Sequence, residues 1–264
     1  MMHVALGIEY NGSAFCGWQT QPTMPNVQDA LEAALARFIT APVATVCAGR
    51  TDTGVHATHQ VVDFVSPVSR PMQSWIRGVN TFLPDTVSVR WAREVPEDFS
   101  SRFSATERTY EYWIVNDPVR SPLMKGKAGW VFRPCDAQKM HEAAQCLIGE
   151  HDFTSFRASE CQAKTPVRQM HEITVCRTGR MIGIRLRANA FLHHMVRNIV
   201  GSLVYVGTGR ENAQWLQAVL HAKDRSVAAP TFSAEGLYLV GVKYPHQECL
   251  PSYSPCIWPF PTAL

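Results

Sequence analysis

The sequence has no apolar run long enough to cross a bilayer. Its longest uncharged candidate, Asn198–Gly209, falls well short of the roughly 20 residues a span needs. The stretch Leu250–Leu264 is also uncharged, but its four prolines exclude a helix. No basic segment followed by an apolar one and a cleavage site opens the chain. These absences predict a soluble, cytoplasmic protein without a membrane partner. C-x-x-C is missing although eight cysteines are present (16, 47, 135, 146, 161, 176, 249 and 256), which argues against structural zinc and a disulfide framework. Several of these thiols lie in apolar patterns, where they pack as small hydrophobes. Neither G-x-G-x-x-G nor a P-loop occurs, so no cofactor is expected. An excess of one charge is lacking too: 25 basic residues stand against 22 acidic, a net +3 with a pI near 8.4. That balance permits a nucleic-acid partner without demanding one.

What is present suits a core. Of 264 residues, 46% are hydrophobic and 18% charged, enough for one or two globular domains. Val4, Leu6, Ile8 and Tyr10 alternate as a strand ended by Asn11-Gly12. Asn26 precedes Val27, Leu31, Ala34, Leu35 and Phe38, the spacing of a capped helix. Strands are predicted at Val43–Ala48, Gln60–Val65 and Val87–Val95, with a short helix over Met72–Leu83. A polar connection follows at Asp98–Ala105. Beyond it, Arg108–Val115 reads as a strand and Asp136–Ile148 as a helix. Ile173–Cys176 and Met181–Leu186 form a hairpin pattern through Thr178-Gly179, Phe191–Val206 a helix, and Leu237–Tyr244 a late strand. The pattern is α+β: two similarly built subdomains of mainly antiparallel sheet flanked by helices, at 1–106 and 107–246, then a Pro-rich tail at 247–264.

One loop stands out chemically. Between two strands lies Gly49-Arg50-Thr51-Asp52-Thr53-Gly54-Val55-His56. Glycines let a carboxylate approach a ligand closely, and Asp52 is ionised at neutral pH, able to serve as nucleophile or base. Arg50 and His56 are placed to tune or support it. Spacing alone leaves the plainer alternative open, an Asx turn in which Asp52 bonds its own backbone.

That loop resembles the signature of the tRNA pseudouridine synthase A family. Further matches follow in order: Ile8-Glu9-Tyr10-x-Gly12 with Gly17-Trp18-Gln19, Ala41–Gly49, and Arg102-Phe103-Ser104-Ala105-Thr106. Later come Asp152-Phe153-Thr154-Ser155-Phe156-Arg157, the run Ala190–Asn198 that contains His193-His194-Met195-Val196-Arg197, and Glu235-Gly236-Leu237. Together they cover about residues 2 to 245.

The resemblance implies isomerisation of uridine to pseudouridine at positions 38, 39 and 40 of the tRNA anticodon stem-loop, by a homodimer. It makes Asp52 the nucleophile and Tyr110 the ring that stacks on uracil and assists loss of the C5 proton. Arg197 becomes the ion-pair partner of Asp52, with the active-site cleft between the two subdomains. The RNA-recognition segments fall on Phe99, Ser100, Ser101, Arg102 and Phe103, and on Glu160, Cys161, Gln162, Ala163 and Lys164, with Arg50 also touching substrate. Thr53, Glu107, Thr109 and Glu160 depart from the family's usual pattern. A non-catalytic RNA-binding module would need Tyr110 and Tyr112 but not Asp52 with Arg197. A histidine metalloenzyme would rest on His56-x-x-His59 and His193-His194, which lack a third ligand at suitable spacing, so no metal is expected.

Overall fold

The computed structural model describes residues 1–245 and 250–251. The tail expected at 247–264, with Cys249 and Cys256, lies almost wholly outside them. Among the described residues are ten strands, paired mostly antiparallel, and five α-helices, an α+β protein as the pattern required. The chain divides into two compact units. One comprises Met1–Thr106 and is rejoined by the chain from Tyr238; the other comprises Glu107–Leu237.

The first unit is built around β1 (Met2–Tyr10). α1 (Val27–Ile39) follows, then β2 (Val46–Cys47), β3 (His56–Ser66), α2 (Met72–Asn80) and β4 (Val87–Glu94). β1 lies between β3 and β4, antiparallel to both, with Leu6 opposite Val62 and Ala92. Its alternating Val4, Leu6 and Ile8 are fully buried. The opposite face is closed by Trp91, whose ring occupies the place a side chain at Gly7 would need. Asn26 caps α1 as expected, accepting from the Asp29 amide at 2.8 Å. Trp75 of α2 is buried edge-on to Phe38 and Phe64, with ring centroids 5.3 and 5.5 Å away.

Two boundaries differ from the sequence reading. β2 is two residues where six were expected, and β3 begins at His56 rather than Gln60. The loop is therefore shorter and held closer to the sheet. α2 stops at Asn80 instead of Leu83, because the Asn80 amide turns aside to bond both main-chain groups of Val89 on β4 (2.7 and 2.9 Å).

The second unit runs β5 (Glu107–Asn116), β6 (Gly129–Val131), α3 (Ala137–Ala144), β7 (Gly149–Asp152), β8 (Val167–Thr178), β9 (Met181–Ala188), α4 (Met195–Gly207) and α5 (Ala213–Ala222). Its sheet order is β5-β9-β8-β7, with β6 parallel on the other edge of β5. The expected hairpin is present, Thr178 opposite Met181, with Gly179 at φ +59 carrying the turn. Asp136 caps α3, but the helix gives way to a tighter turn at Gln145–Leu147. α5 was not anticipated, although Asn212 caps it and Leu216, Val219 and Leu220 bury at helical spacing. The last strand, β10 (Leu237–Lys243), pairs parallel with β3 through Tyr238–His56 and Leu239–Ala57. The segment from Tyr238 thus belongs to the first unit rather than to a continuous 107–246. Alternation predicts a strand but not the edge it joins.

Cys16, Cys47, Cys135, Cys146, Cys161 and Cys176 are all free thiols. Burial pushes Cys47 up to about 12 and Cys135 to about 11, so both stay protonated, as packing residues should. His59 on β3 is buried beside Trp91, and burial pulls its pKa from 6.5 to about 4. The fold holds it neutral, while the unfolded chain protonates near 6.5. Its stabilisation is therefore complete above pH 6.5 and is lost as pH falls toward 4. Between pH 7.5 and 4.5 the loss from this residue should be about 2–3 kcal/mol, from the same linkage. Urea unfolding of the wild type and His59→Gln at both pH values checks this: the variant should lose less, and equal losses would refute it.

Candidate active site

In the first unit, the loop from Ala48 to Val55 is fixed at both ends. The Ala48 amide donates to Val61 at 2.9 Å. The Gln60 side chain clamps Gly49 twice, its amide donating to the carbonyl at 2.6 Å and its oxygen accepting from the N–H at 3.3 Å. From the other side, the Trp18 amide donates to Thr51 O at 2.9 Å, and the Tyr10 hydroxyl meets Thr51 Oγ1 at 2.7 Å. Gly54, at φ +78, donates to Phe15 O at 3.4 Å. The Val55 amide closes a turn on the main-chain oxygen of Asp52 at 3.1 Å.

Two glycines make this approach feasible. A Cβ on Gly12 would stand 1.9 Å from Val55 O, and one on Gly17 (φ +94) 2.8 Å from Thr51 O. Both belong to motifs quoted above, but their role is invisible in sequence because they lie some forty residues before the loop they admit. Thr51 and Val55 are buried, Arg50 and Thr53 exposed, and Asp52 is half-buried between them. His56 does not sit on the loop as expected but opens β3. Its Nδ1 accepts from the Gly12 amide at 3.0 Å, and its ring stacks on Tyr238 with centroids 4.6 Å apart. It supports the loop through the backbone.

In the second unit, Tyr110 lies on β5 opposite Leu186 of β9. Its ring stands edge-on to Phe191 at 5.0 Å. Strand alternation puts Glu107, Thr109 and Glu111 on the opposite face. There Arg187 joins Glu107 (2.7 Å) to Glu172 (3.2 Å), and Arg185 pairs with Glu111 at 2.5 Å. The unusual Glu107 is thus matched by a local arginine and leaves the Tyr110 face unaltered. Tyr112 shares that face, its hydroxyl donating to Ser233 O at 2.8 Å.

Arg197 lies in the first turn of α4, with Nε donating to Phe232 O at 2.9 Å. The expected helix from Phe191 would have put Phe191–His194 on the same helical face as Arg197. The helix instead starts at Met195, and His194 precedes it at φ +62. The apolar pattern runs on beyond the helix and hides this break. Gly201 lets α4 press against Pro230, whose carbonyl would be 2.4 Å from an added Cβ, and this keeps Phe232 near Arg197. A guanidinium at a helix N-terminus opposes the helix dipole, so this position favours a carboxylate partner. The His193 and His194 rings lie close but tilted, with centroids 4.0 Å apart and planes 33° apart, and His193 Nδ1 lies 3.9 Å from Glu160.

The two segments expected to contact RNA are sorted by burial. Ser101 is fully buried: its amide donates to Asp63 at 2.7 Å and its hydroxyl to Val46 O at 2.7 Å, so it anchors the connection. Phe99 packs on Tyr244 at 5.1 Å, and Ser100 bonds within its own turn. Arg102 and Phe103 project, Phe103 being 80% exposed with the Arg102 guanidinium 5.1 Å from its ring. In the second segment Cys161 is buried and tied to the backbone of Ala158 and His193. Glu160, Gln162 and Lys164 are exposed and Ala163 half-buried. Ser101 and Cys161 are therefore supports rather than contacts; a polar pattern does not show which of its members turn inward.

A sequence family described as tRNA pseudouridine synthase matches residues 7–104 and 143–245. The chain is 57% identical over 250 residues to tRNA pseudouridine synthase A of Burkholderia cenocepacia, covering 95% of this chain and 93% of that protein. It is 56% identical over 252 residues to the protein of the same name from Paraburkholderia phymatum, covering 96% and 94%. A solved structure of a Cbf5-Nop10-Gar1 complex covers 89% of this chain and 48% of its own at 13% identity and a TM-score of 0.37, too loose a likeness to carry an argument.

Proposed function

The chain belongs to the tRNA pseudouridine synthase family and isomerises uridine to pseudouridine in tRNA; from that premise we propose that it acts at positions 38, 39 and 40 of the anticodon stem-loop, with Asp52 as the nucleophile. The observation that supports this reading is the loop itself. An ionisable carboxylate sits at the tip of a turn fixed by Gly49, Thr51, Gly54 and Val55, and two distant glycines clear the space for it.

The chemistry needs no external atom. The N1 glycosidic bond breaks, uracil rotates, ribose C1′ bonds to C5, C5 releases its hydrogen as a proton, and N1 takes up a proton, so the product is an isomer of the substrate. Asp52 supplies the electron pair that detaches the base. Water activation, the reason a glycosidase needs a second carboxylate, has no place in the sequence. Reaching a stacked base requires flipping it out, at a cost of a few kcal/mol. Arg102 and Phe103 are placed to fill the vacated stack and hold phosphate, and Arg50 to hold the substrate near Asp52. Tyr110 presents its ring to uracil, and its hydroxyl assists departure of the C5 proton. Arg197 is the ion-pair partner of the Asp52 carboxylate. The active unit is a cytoplasmic homodimer whose chains share each tRNA cleft. Among the described residues, no helix is long and apolar enough to cross a membrane.

The test is release of tritium from tRNA carrying [5-³H]uridine. Joining C1′ to C5 must expel that label, whereas an RNA-binding module leaves it in place. Arg197→Lys should lower single-turnover release on the order of 100-fold with tRNA Kd changed only a few-fold. An ammonium cannot grip a carboxylate with two parallel bonds and loses the Nε bond to Phe232. Wild-type release from this variant would remove Arg197 from the site.

A further inference from the structure

The second unit contains a cavity of about 500 Å³ lined by Arg157, Arg225, Ser159, Thr154, Thr231 and His194, with Glu160 at its edge. Two guanidiniums share it, and among the described residues neither has a carboxylate within ion-pair distance. Arg157 donates to Cys161 O at 3.0 Å. Arg225 donates to Asn198 Oδ1 and Thr231 Oγ1, each at 3.1 Å, and at 3.5 Å to Ala228 O. All of these acceptors are neutral, so the two half-buried cations of the lining are held by dipoles rather than by charge. Arg168 lies outside the lining but close enough to Arg157 for the charges to repel, and its buried Nε has no hydrogen-bond partner among the described residues.

The architecture holds the pair rigidly. Arg157 follows the turn Thr154–Phe156, which is pinned by the Ser155 hydroxyl donating to Val219 O at 2.5 Å. Arg225 is locked to Asn198, whose side chain is fully buried and donates to Phe156 O at 2.7 Å. Among the described residues Glu160 is the sole acid of the lining; its side chain is 77% exposed, so solvent screens it.

We propose that this cavity binds a backbone phosphodiester of the tRNA, gripped by Arg157 and Arg225 with hydroxyls from Ser159 and Thr154, and so sets the position of the strand beside the target uridine. Arginine forks fit the paired oxygens of a phosphate, and the volume admits the sugars flanking it. The inference rests on tRNA being the substrate, and it adds Arg157 and Arg225, in neither expected RNA segment, to the positioning residues.

The experiment is tRNA affinity against salt, with a scan of single neutral methylphosphonates through an anticodon stem-loop RNA. Arg157→Gln should raise Kd about tenfold and flatten the slope of log K on log salt by about 0.7–0.9, the value of one lost phosphate contact. One methylphosphonate should weaken the wild type similarly and leave Arg157→Gln unaffected. Should Arg157→Gln not fold, Ser159→Asp, at an exposed position, should show the same loss by placing a negative charge at the site. Unchanged Kd and slope in these variants overturn the proposal. So does stabilisation of the wild type by inorganic phosphate with no methylphosphonate-sensitive position, which assigns the cavity to a free anion. Failure of the wild type to release tritium would instead overturn the tRNA reading.

Discussion

Asp52→Asn should lose at least a hundredfold in turnover while keeping its fold and most of its tRNA affinity. The amide has nearly the shape of the carboxylate, and the loop's anchoring bonds run through main-chain groups of Gly49, Thr51, Gly54 and Val55. Those bonds survive the change. What disappears is the negative charge that must engage the nucleotide, and a hundredfold loss corresponds to about 2.7 kcal/mol of lost transition-state stabilisation. Affinity should persist because phosphate contacts dominate nucleic-acid binding. Single-turnover tritium release, a binding isotherm and a melting curve measure the three quantities. Release above a hundredth of wild type would remove Asp52 as nucleophile.

Gly12→Ala should be nearly as damaging without touching any reacting group. Its methyl would overlap the Val55 carbonyl at 1.9 Å, and neither partner is a flexible side chain. Either the end of β1 or the Asp52 turn must move. The expected cost is about 2–4 kcal/mol of stability with a drop in turnover on the order of 100-fold, the scale of backbone collision and of a misplaced catalytic group. Gly209→Ala provides the contrast. That glycine has φ +72 but open space around it, so its alanine should cost about 1 kcal/mol in backbone strain and leave turnover unchanged. Denaturant melts and turnover of both variants separate collision from strain. Normal turnover in Gly12→Ala would mean the loop does not depend on this close approach.

Periodicity made the first unit's main elements readable. Val4, Leu6 and Ile8 alternate because they share one fully buried face of β1, and Asn26 can reach the Asp29 amide from its own place in sequence. Reading failed where the decisive contact is distant or conformational. His194 ends the apolar run Phe191–Leu192 with a positive φ that no neighbouring residue announces, so α4 was started four residues early. β8 was read short because Arg168, Gln169, His171 and Glu172 mask the strand, though β9 pairs with it as far as Met170. The Asp52 loop was legible as a contiguous motif; its supports Gly12, Gly17 and Gln60 were not, since chain distance conceals their proximity. Arg225 carried no local signal at all, and only its bonds to Asn198 and Thr231 bring it to notice.

The parallel pairing of β10 with β3 has a consequence for synthesis. Tyr238, which stacks on His56 at the exit of the Asp52 loop, is translated about 130 residues after Thr106 closes the first unit's opening segment. At roughly 5–20 residues per second, the ribosome makes those residues over an interval on the order of ten seconds. Throughout that time the His56–Ala57 end of β3 lacks its neighbouring strand, although β2 already pairs with Val62 and Asp63, and the imidazole beneath the loop lacks its stacking partner. The nascent chain can assemble β1, α1 and β4 early, but the aspartate turn receives its last support only when the final strand emerges. Premature termination before Tyr238 would leave a first unit that retains the Asp52 motif without the strand that completes it.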